Sequence, residues 1–238
     1  MRFNQKASVY EKSATIQATL ADWVAEWIEP HWPATTRALE FGAGTGLLTR
    51  RLENRGQLTA TDLSPEMLRI GRERLPKVRW EIANAWNPSM APVDRIFSSA
   101  MLQWAPEPQR VLKSWLPLII PGGRMVHGLF VTPTLPELSA ITKRLELVQW
   151  HSTETWIGML QRAGFSVFRW ETKTIKQHHA GTREFLRQLH DTGATSRTPQ
   201  LRIGELRSLM AEFDRRYAGP DGTVEVTWTL MRVECRRN

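Results

Sequence analysis

The chain has 238 residues, 41% of them apolar and 24% charged, with a formal net charge of +8. That length suits one domain with elaborations, the apolar share can fill a sizeable core, and no run approaches the ~18 apolar residues of a membrane span. A single cysteine excludes an internal disulfide and agrees with a reducing compartment, and the polar start "MRFNQKASVYEKSATIQ" lacks the apolar core of an export signal, so a cytoplasmic protein is expected.

From Tyr10 to Glu29, apolar residues at Ile16, Leu20, Trp23, Val24, Trp27 and Ile28 follow the three-four spacing of one buried helical face, and Pro30 and Pro33 end it. "RALEF" reads as a short buried strand, "TGLLTRRLEN" as a helix stopped by Gly56, and "QLTATD" as a second strand. "SPEMLRIGRERL" is a helix with Ser64 as cap and Pro65 in its first turn. "VRWEIA" and "DRIFSS" are the third and fourth strands, "PEPQRVLKSWLPLI" is a helix ended by "PGG", and "RMVHGLF" is the fifth strand. This alternation predicts an α/β fold with a doubly wound parallel sheet. Beyond it come the helix "TETWIGMLQRAGF", the strand "SVFRWETKTI", a helical insertion over about 180–219, and the closing strand "GTVEVTWTLMRVEC", where Cys235 reads as structural. No repeat and no linker divides the chain, so residues 1–238 are expected to form one domain. Trp23, Trp27, Trp115, Trp156 and Trp228 sit on apolar periods and are expected in the core.

The stretch "ALEFGAGTGLLTR" places Gly42, Gly44 and Gly46 where the first strand hands over to a helix. In an open parallel sheet this loop faces the ligand crevice, and glycine there lets the backbone approach a ligand. Asp62 ends the second strand, where a carboxylate can accept hydrogen bonds from two ribose hydroxyls. The glycine spacing departs from the dinucleotide pattern, since its sixth position is Leu47, and no Walker lysine follows. Glu40 would repel phosphate but tolerate an amine or a sulfonium. Glu40, the loop Gly42-Ala43-Gly44 and Asp62 together favour S-adenosylmethionine as the cofactor.

This region resembles the class I S-adenosylmethionine-dependent methyltransferases, with "ALEFGAGTG" like their first motif and "TATDLSPEML" like their second. The resemblance implies a Rossmann-like, seven-stranded, mostly parallel sheet whose last strand, "VEVTWTLMRV", runs antiparallel. It places Leu63 and Met67 near the adenine. The usual adenine-binding acid of the third-strand loop is replaced by Asn84, whose carbonyl oxygen can accept the same bond. Ala85 and Trp86 follow, and Trp86 can stack on the adenine.

The likeness narrows further along the chain. "VYEKSATIQATLADWV", "DRIFSSAMLQW", "IPGGRMVHGLFVTPTLPEL", "GAT" at 193–195 and "VEVTWTLMRVECRRN" resemble the malonyl-acyl-carrier-protein O-methyltransferases of biotin synthesis. That family methylates the free carboxylate of a malonyl thioester. By this resemblance Tyr10 is the catalytic candidate, closing over the transfer site, and Gln17, seven residues on, reaches the methionyl end of the cofactor. Ser98 and Ser99 end the fourth strand at the crevice, with Ser99 in place of the family's asparagine, while Gln103 and Trp104 line the acyl side. A malonyl carboxylate is ionised near pH 7, so no general base and no metal is called for. The six histidines show no ligand spacing.

The positive charge suits an acidic acyl-carrier protein, with Arg202, Arg207, Arg215 and Arg216 as docking candidates and malonyl-CoA as a second form of the acceptor. A monomer is expected. Two alternatives stay open: another acceptor, such as a small carboxylic metabolite or RNA, or a catalytically silent binding subunit. Against RNA, "SSAMLQW" lacks the Asn/Asp-Pro-Pro-aromatic motif common in amino-methylating nucleic-acid enzymes, and no tryptophan–arginine interleaving suggests a base-stacking platform.

Overall fold

Seven strands follow the apolar runs: β1 (Arg37–Phe41), β2 (Gln57–Asp62), β3 (Arg79–Ile82), β4 (Val93–Ser99), β5 (Ile119–Phe130), β6 (Phe165–His179) and β7 (Val224–Arg237). In the computed structural model, which describes residues 7–142, 149–193 and 201–238, they form one sheet in the order β3-β2-β1-β4-β5-β7-β6. The first five are parallel, and β7 enters antiparallel between β5 and β6. The seven-stranded, mostly parallel α/β sheet is thus as expected. Strand order reverses between β1 and β4, so the crevice lies beyond their carboxyl ends.

Neighbouring residues of a strand face opposite ways. Ala38, Phe97 and Val126 accordingly join the apolar cluster on one side of the sheet. Leu39, Ile96 and Met125 join the cluster on the other. The helices that cover the sheet are α1 (Ala7–Ser13), α2 (Thr15–Ala25), α3 (Thr49–Leu52), α4 (Pro65–Arg74), α5 (Pro108–Trp115), α6 (Pro136–Ser139), α7 (Thr153–Arg162), α8 (Thr182–Asp191) and α9 (Ile203–Tyr217). Ser64 caps α4, its Oγ accepting from Met67 N at 3.2 Å. Helices α8 and α9 stand between β6 and β7, where the insertion was expected; its residues 194–200, with Ala194 and Thr195 of the "GAT" motif, lie outside the described residues.

Four expectations need correction. The helix predicted from Tyr10 to Glu29 is two helices, because Ala14 leaves the helical region (φ −88°, ψ 39°) and the second ends at Ala25. The helix predicted over "TGLLTRRLEN" contracts to Thr49–Leu52, since the chain is still turning through the glycines. "PGG" lies inside β5 instead of closing the preceding helix, with Gly122 at φ +76°. Trp115, Trp156 and Trp228 are buried, but Trp23 and Trp27 are only partly so. Their rings flank the Arg232 guanidinium at 4.5 and 4.2 Å, which is a cation–π role.

Gly71 shows how tightly α4 meets β3. A Cβ there would lie 2.4 Å from Cη2 of Trp80, whose Nε1 donates to Leu75 O at 3.1 Å and so resists moving. Alanine in a helix gains about 0.5–1 kcal/mol over glycine, whereas overpacking costs about 1–3 kcal/mol. Gly71→Ala is therefore expected to lower the unfolding free energy in urea, and an unchanged or higher value would show that Trp80 can yield.

Candidate active site

The glycine loop follows from hydrogen bonds that only its backbone can make. Beyond Phe41 the chain turns through Gly42 (φ +65°) and Gly44 (φ +57°), a left-handed region that strains other residues. Ala43 N donates to Thr61 O at 2.8 Å, and Gly44 N donates to Asp62 Oδ2 at 2.9 Å. Asp62 Oδ1 accepts from Ser64 N at 2.8 Å. The carboxylate at the end of β2 is thereby fixed beside the loop. Burial raises the Asp62 pKa, and the backbone N–H groups of Ser64, Gly44 and Leu63 oppose the rise.

A cleft opens over this loop. Gly42, Ala43 and Gly44 form its floor, Glu40 and Ser99 come from the ends of β1 and β4, and Tyr10 and Gln17 come from α1 and α2. Seven expected residues from four chain regions thus meet, although Tyr10 and Gln17 no longer share one helix. Thr45 Oγ1 donates to Glu11 Oε1 at 3.0 Å, and Arg74 pairs with Glu11, which fastens α1 over the loop.

Two observations test whether a nucleoside sulfonium fits here. Three buried polar atoms at the cleft, Gln17 Oε1, Glu40 Oε2 and Ser99 Oγ, have no hydrogen-bond partner among the described residues. Orphaned buried groups are costly, so three of them around one space point to a polar ligand. The two glycines also differ. A Cβ at Gly42 would lie 2.3 Å from Met101 Cγ, whereas one at Gly44 would meet nothing within 4 Å. Packing explains the first glycine, and open space for a ligand explains the second.

Electrostatics separates the roles. Burial, with the Asp62 charge adding to it, pushes the Glu40 carboxyl up to about 8. Burial raises the Tyr10 hydroxyl well above its ordinary value, with Asp62 and Glu11 acting the same way, so Tyr10 keeps its proton and can donate a hydrogen bond. For Glu40 the folded protein holds its proton up to about pH 8, while the unfolded chain releases it near 4.5. Stability of the cofactor-free protein should therefore fall as pH rises through that window, and Glu40→Gln should remove this part of the fall. A cation against the carboxylate reverses the trend for binding. Cofactor affinity should rise by up to about tenfold per pH unit below about 8. Calorimetric titration of wild type and Glu40→Gln checks this, with a flat profile expected for the variant.

The remaining expected residues lie outside the cleft's lining. Leu63 follows Asp62 and is half-buried, and Met67 is buried on α4 with Tyr10 packed against it. Asn84 is exposed, and its Oδ1 accepts from Trp86 N at 3.0 Å within its own turn. Ala85 O accepts from Trp115 Nε1 at 2.7 Å, and Trp86 is half-buried against the same cluster. Gln103 is buried and its Oε1 has no partner among the described residues, and Trp104 packs on the opposite cluster. Ser98 turns away from the cleft: its Oγ is 2.9 Å from His127 Nδ1, and burial holds that imidazole neutral, down at about 3. Sequence reasoning missed Leu47, Leu48 and Ala100. The leucines read as helix core, and nothing in an alanine signals the positive φ (+54°) that Ala100 adopts.

Known proteins resemble this chain in sequence and in fold. A methyltransferase domain family model matches residues 39–127, from β1 through most of β5. A malonyl-[acyl-carrier protein] O-methyltransferase of Paenibacillus sp. is 30% identical over 222 residues, spanning 82% of this chain and 80% of the relative. One from Halorhodospira halophila is 26% identical over 246 residues, spanning 96% and 83%. The solved YcgJ protein of Bacillus subtilis shares the fold, with a TM-score of 0.64 and 14% identity over 92% of this chain and 99% of that one. The chain belongs to the class I S-adenosylmethionine-dependent methyltransferases, and it is an enzyme of that class with S-adenosylmethionine as its cofactor. Within the class it is similar along nearly its whole length to the malonyl-acyl-carrier-protein O-methyltransferases.

Proposed function

We propose that this methyltransferase esterifies the free carboxylate of a malonyl group carried as a thioester on an acyl-carrier protein, or on coenzyme A, in the early pimeloyl stage of biotin synthesis. The observation that carries the reading is the similarity over most of both chains to enzymes of that name. The cleft chemistry supports it. Bound there, the cofactor supplies an electrophilic methyl on a sulfonium. The chain's residues then have to bind, align and exclude water, because a malonyl carboxylate is already ionised. Asp62 takes the ribose, Glu40 faces the cationic methionyl end with Gln17 beside it, and Leu63, Met67, Asn84, Ala85 and Trp86 surround the adenine. Tyr10, which keeps its proton, orients the acceptor carboxylate as a donor and cannot act as a base. Ser99 offers a hydroxyl at the cleft, and Gln103 and Trp104 stand on the acyl side.

The enzyme acts as a single-domain cytoplasmic monomer in this reading; among the described residues no helix is long and apolar enough to cross a membrane. Its net charge of +8 favours an acidic carrier protein. Arg215 and Arg216 already pair with Glu212, at 2.7 and 2.5 Å, so Arg202 and Arg207 are the stronger docking candidates on the insertion.

Incubation with methyl-labelled cofactor and malonyl-carrier protein or malonyl-CoA tests the acceptor. Label on either supports it, and label on RNA or an unrelated metabolite instead overturns it. Tyr10→Phe should slow kcat by about tenfold or more, with cofactor affinity within about twofold, because only one hydrogen bond is lost. An unchanged rate removes Tyr10 from the reaction.

A further inference from the structure

The segment that joins β3 to β4, residues 83–92, carries Asn84, Ala85 and Trp86, the group placed around the adenine, and it leans on one side chain. Ala83 N donates to Asp62 O at 3.1 Å where the segment leaves β3. Beyond that point, Trp86 N donates to Asn84 Oδ1 at 3.0 Å and Asn87 N to Asn84 O at 3.1 Å, bonds that stay within the turn. Among the described residues, the one hydrogen bond that ties residues 84–92 to the rest of the fold runs from Trp115 Nε1 to Ala85 O, at 2.7 Å. Trp115, at the end of α5, is itself held from other directions. It is fully buried, and its ring stacks on Phe41 with centroids 4.6 Å apart and tilts against His127 at 5.4 Å. Ser98 Oγ, 2.9 Å from Nδ1, fixes the His127 ring in turn. Residues of β1, β4 and β5 thus fix the indole, and the loop is the softer partner.

We infer that Trp115 is a positioning residue for the cofactor's base: its indole sets where the adenine loop stands relative to the glycine loop. Phe41, on which the ring stacks, is the residue from which the chain turns into Gly42, and Ala85 lies between the two expected adenine contacts. One rigid ring therefore grips the chain at both ends of the nucleoside site. The hydrogen bond also does what packing alone does not. Ala85 C=O and Trp86 N–H belong to one planar peptide unit. Trp115 holds the carbonyl side of that plane, and the N–H side holds Asn84 Oδ1. The end of the Asn84 amide that is oxygen is thereby fixed in place. An amide oxygen accepts and cannot donate, so with its second lone pair it tells a 6-amino purine, which donates there, from a 6-oxo purine, which accepts. The inference rests on the reading that places the adenine at this loop. Phenylalanine at 115 would still fill the core and would leave the Ala85 carbonyl unheld.

The test titrates the whole chain calorimetrically with S-adenosylhomocysteine and with S-inosylhomocysteine, which differ at the six-position of the purine. The wild type is expected to prefer the adenosyl form by at least about tenfold. Trp115→Phe keeps a buried ring and loses the donor, so the preference should fall to within about twofold, and the Kd for S-adenosylhomocysteine should rise by about five- to tenfold. Val111→Ala cuts into the same apolar cluster from the same helix. It should lower the melting temperature and leave the preference at its wild-type value. If Trp115→Phe does not fold, Phe41→Leu, which removes the ring stacked on the indole, should lower the preference in its place. A folded Trp115→Phe (or Phe41→Leu in its stead) that keeps the full preference overturns the role of Trp115, and so does a Val111→Ala that loses it. Asn84→Ala separates this inference from the reading beneath it. If that variant abolishes the preference and Trp115→Phe does not, only the role of Trp115 falls. If the wild type shows no preference, or Asn84→Ala keeps it, this loop does not read the base and both fall.

Discussion

Asp62→Ala is expected to weaken S-adenosylmethionine binding by at least about 100-fold, measured by calorimetric titration, while the protein remains folded by circular dichroism. Hydrogen bonds to a charged group contribute roughly 1.5–3 kcal/mol each, so losing the two that ribose hydroxyls make predicts this range. The same change removes the acceptor for Gly44 N and Ser64 N, which loosens the loop that the cofactor must find already formed. Asp62→Asn keeps one acceptor oxygen and should fall between alanine and wild type. Affinity retained in the alanine variant would place the nucleoside elsewhere.

The second large effect is expected at Gly44. Valine there occupies the space in which a Cβ meets no protein atom, so it should raise the cofactor Kd by roughly 100-fold or more through direct exclusion. The accompanying loss of stability should be only about 1–2 kcal/mol, the cost of a left-handed backbone at φ +57°. Gly42 provides the contrast. A side chain there strikes Met101 within the protein, so Gly42→Val should lower the melting temperature strongly before any ligand is added. Were Gly44→Val to bind the cofactor normally, the open space above that glycine would not be the nucleoside's.

The core of the sheet could be read from residue patterns because its central strands are buried on both faces and bounded by turn residues. "RALEF" and "QLTATD" match β1 and β2 residue for residue. The nearness of Asp62 to the glycine loop follows from two correctly read strands, since the loop leaves the carboxyl end of β1 and Asp62 ends the adjacent parallel β2; the hydrogen bond between them is seen only in the fold. What could not be read depends on tertiary context. Ala14 breaks the first helix without a glycine or proline, because the chain must bend there to lay α1 across the loop. Ala100 takes a positive φ while its N–H reaches Gly128 O at 3.0 Å, a bond made by a distant strand. Ser98 and Ser99 look alike in sequence, yet alternation sends one to His127 and the other to the cleft. Trp228 fits an apolar period, and only the fold reveals that its N–H finds no partner among the described residues.

The antiparallel placement of β7 bears on how the chain is built in the cell. This strand is made after the other six, yet it is the one that joins β5 to β6. During synthesis β5 emerges with an open edge of unpaired backbone N–H and C=O groups, and β6 has no strand beside it. Until residues 224–237 appear, the nascent polypeptide therefore displays a sticky, half-finished surface that invites aggregation or chaperone capture.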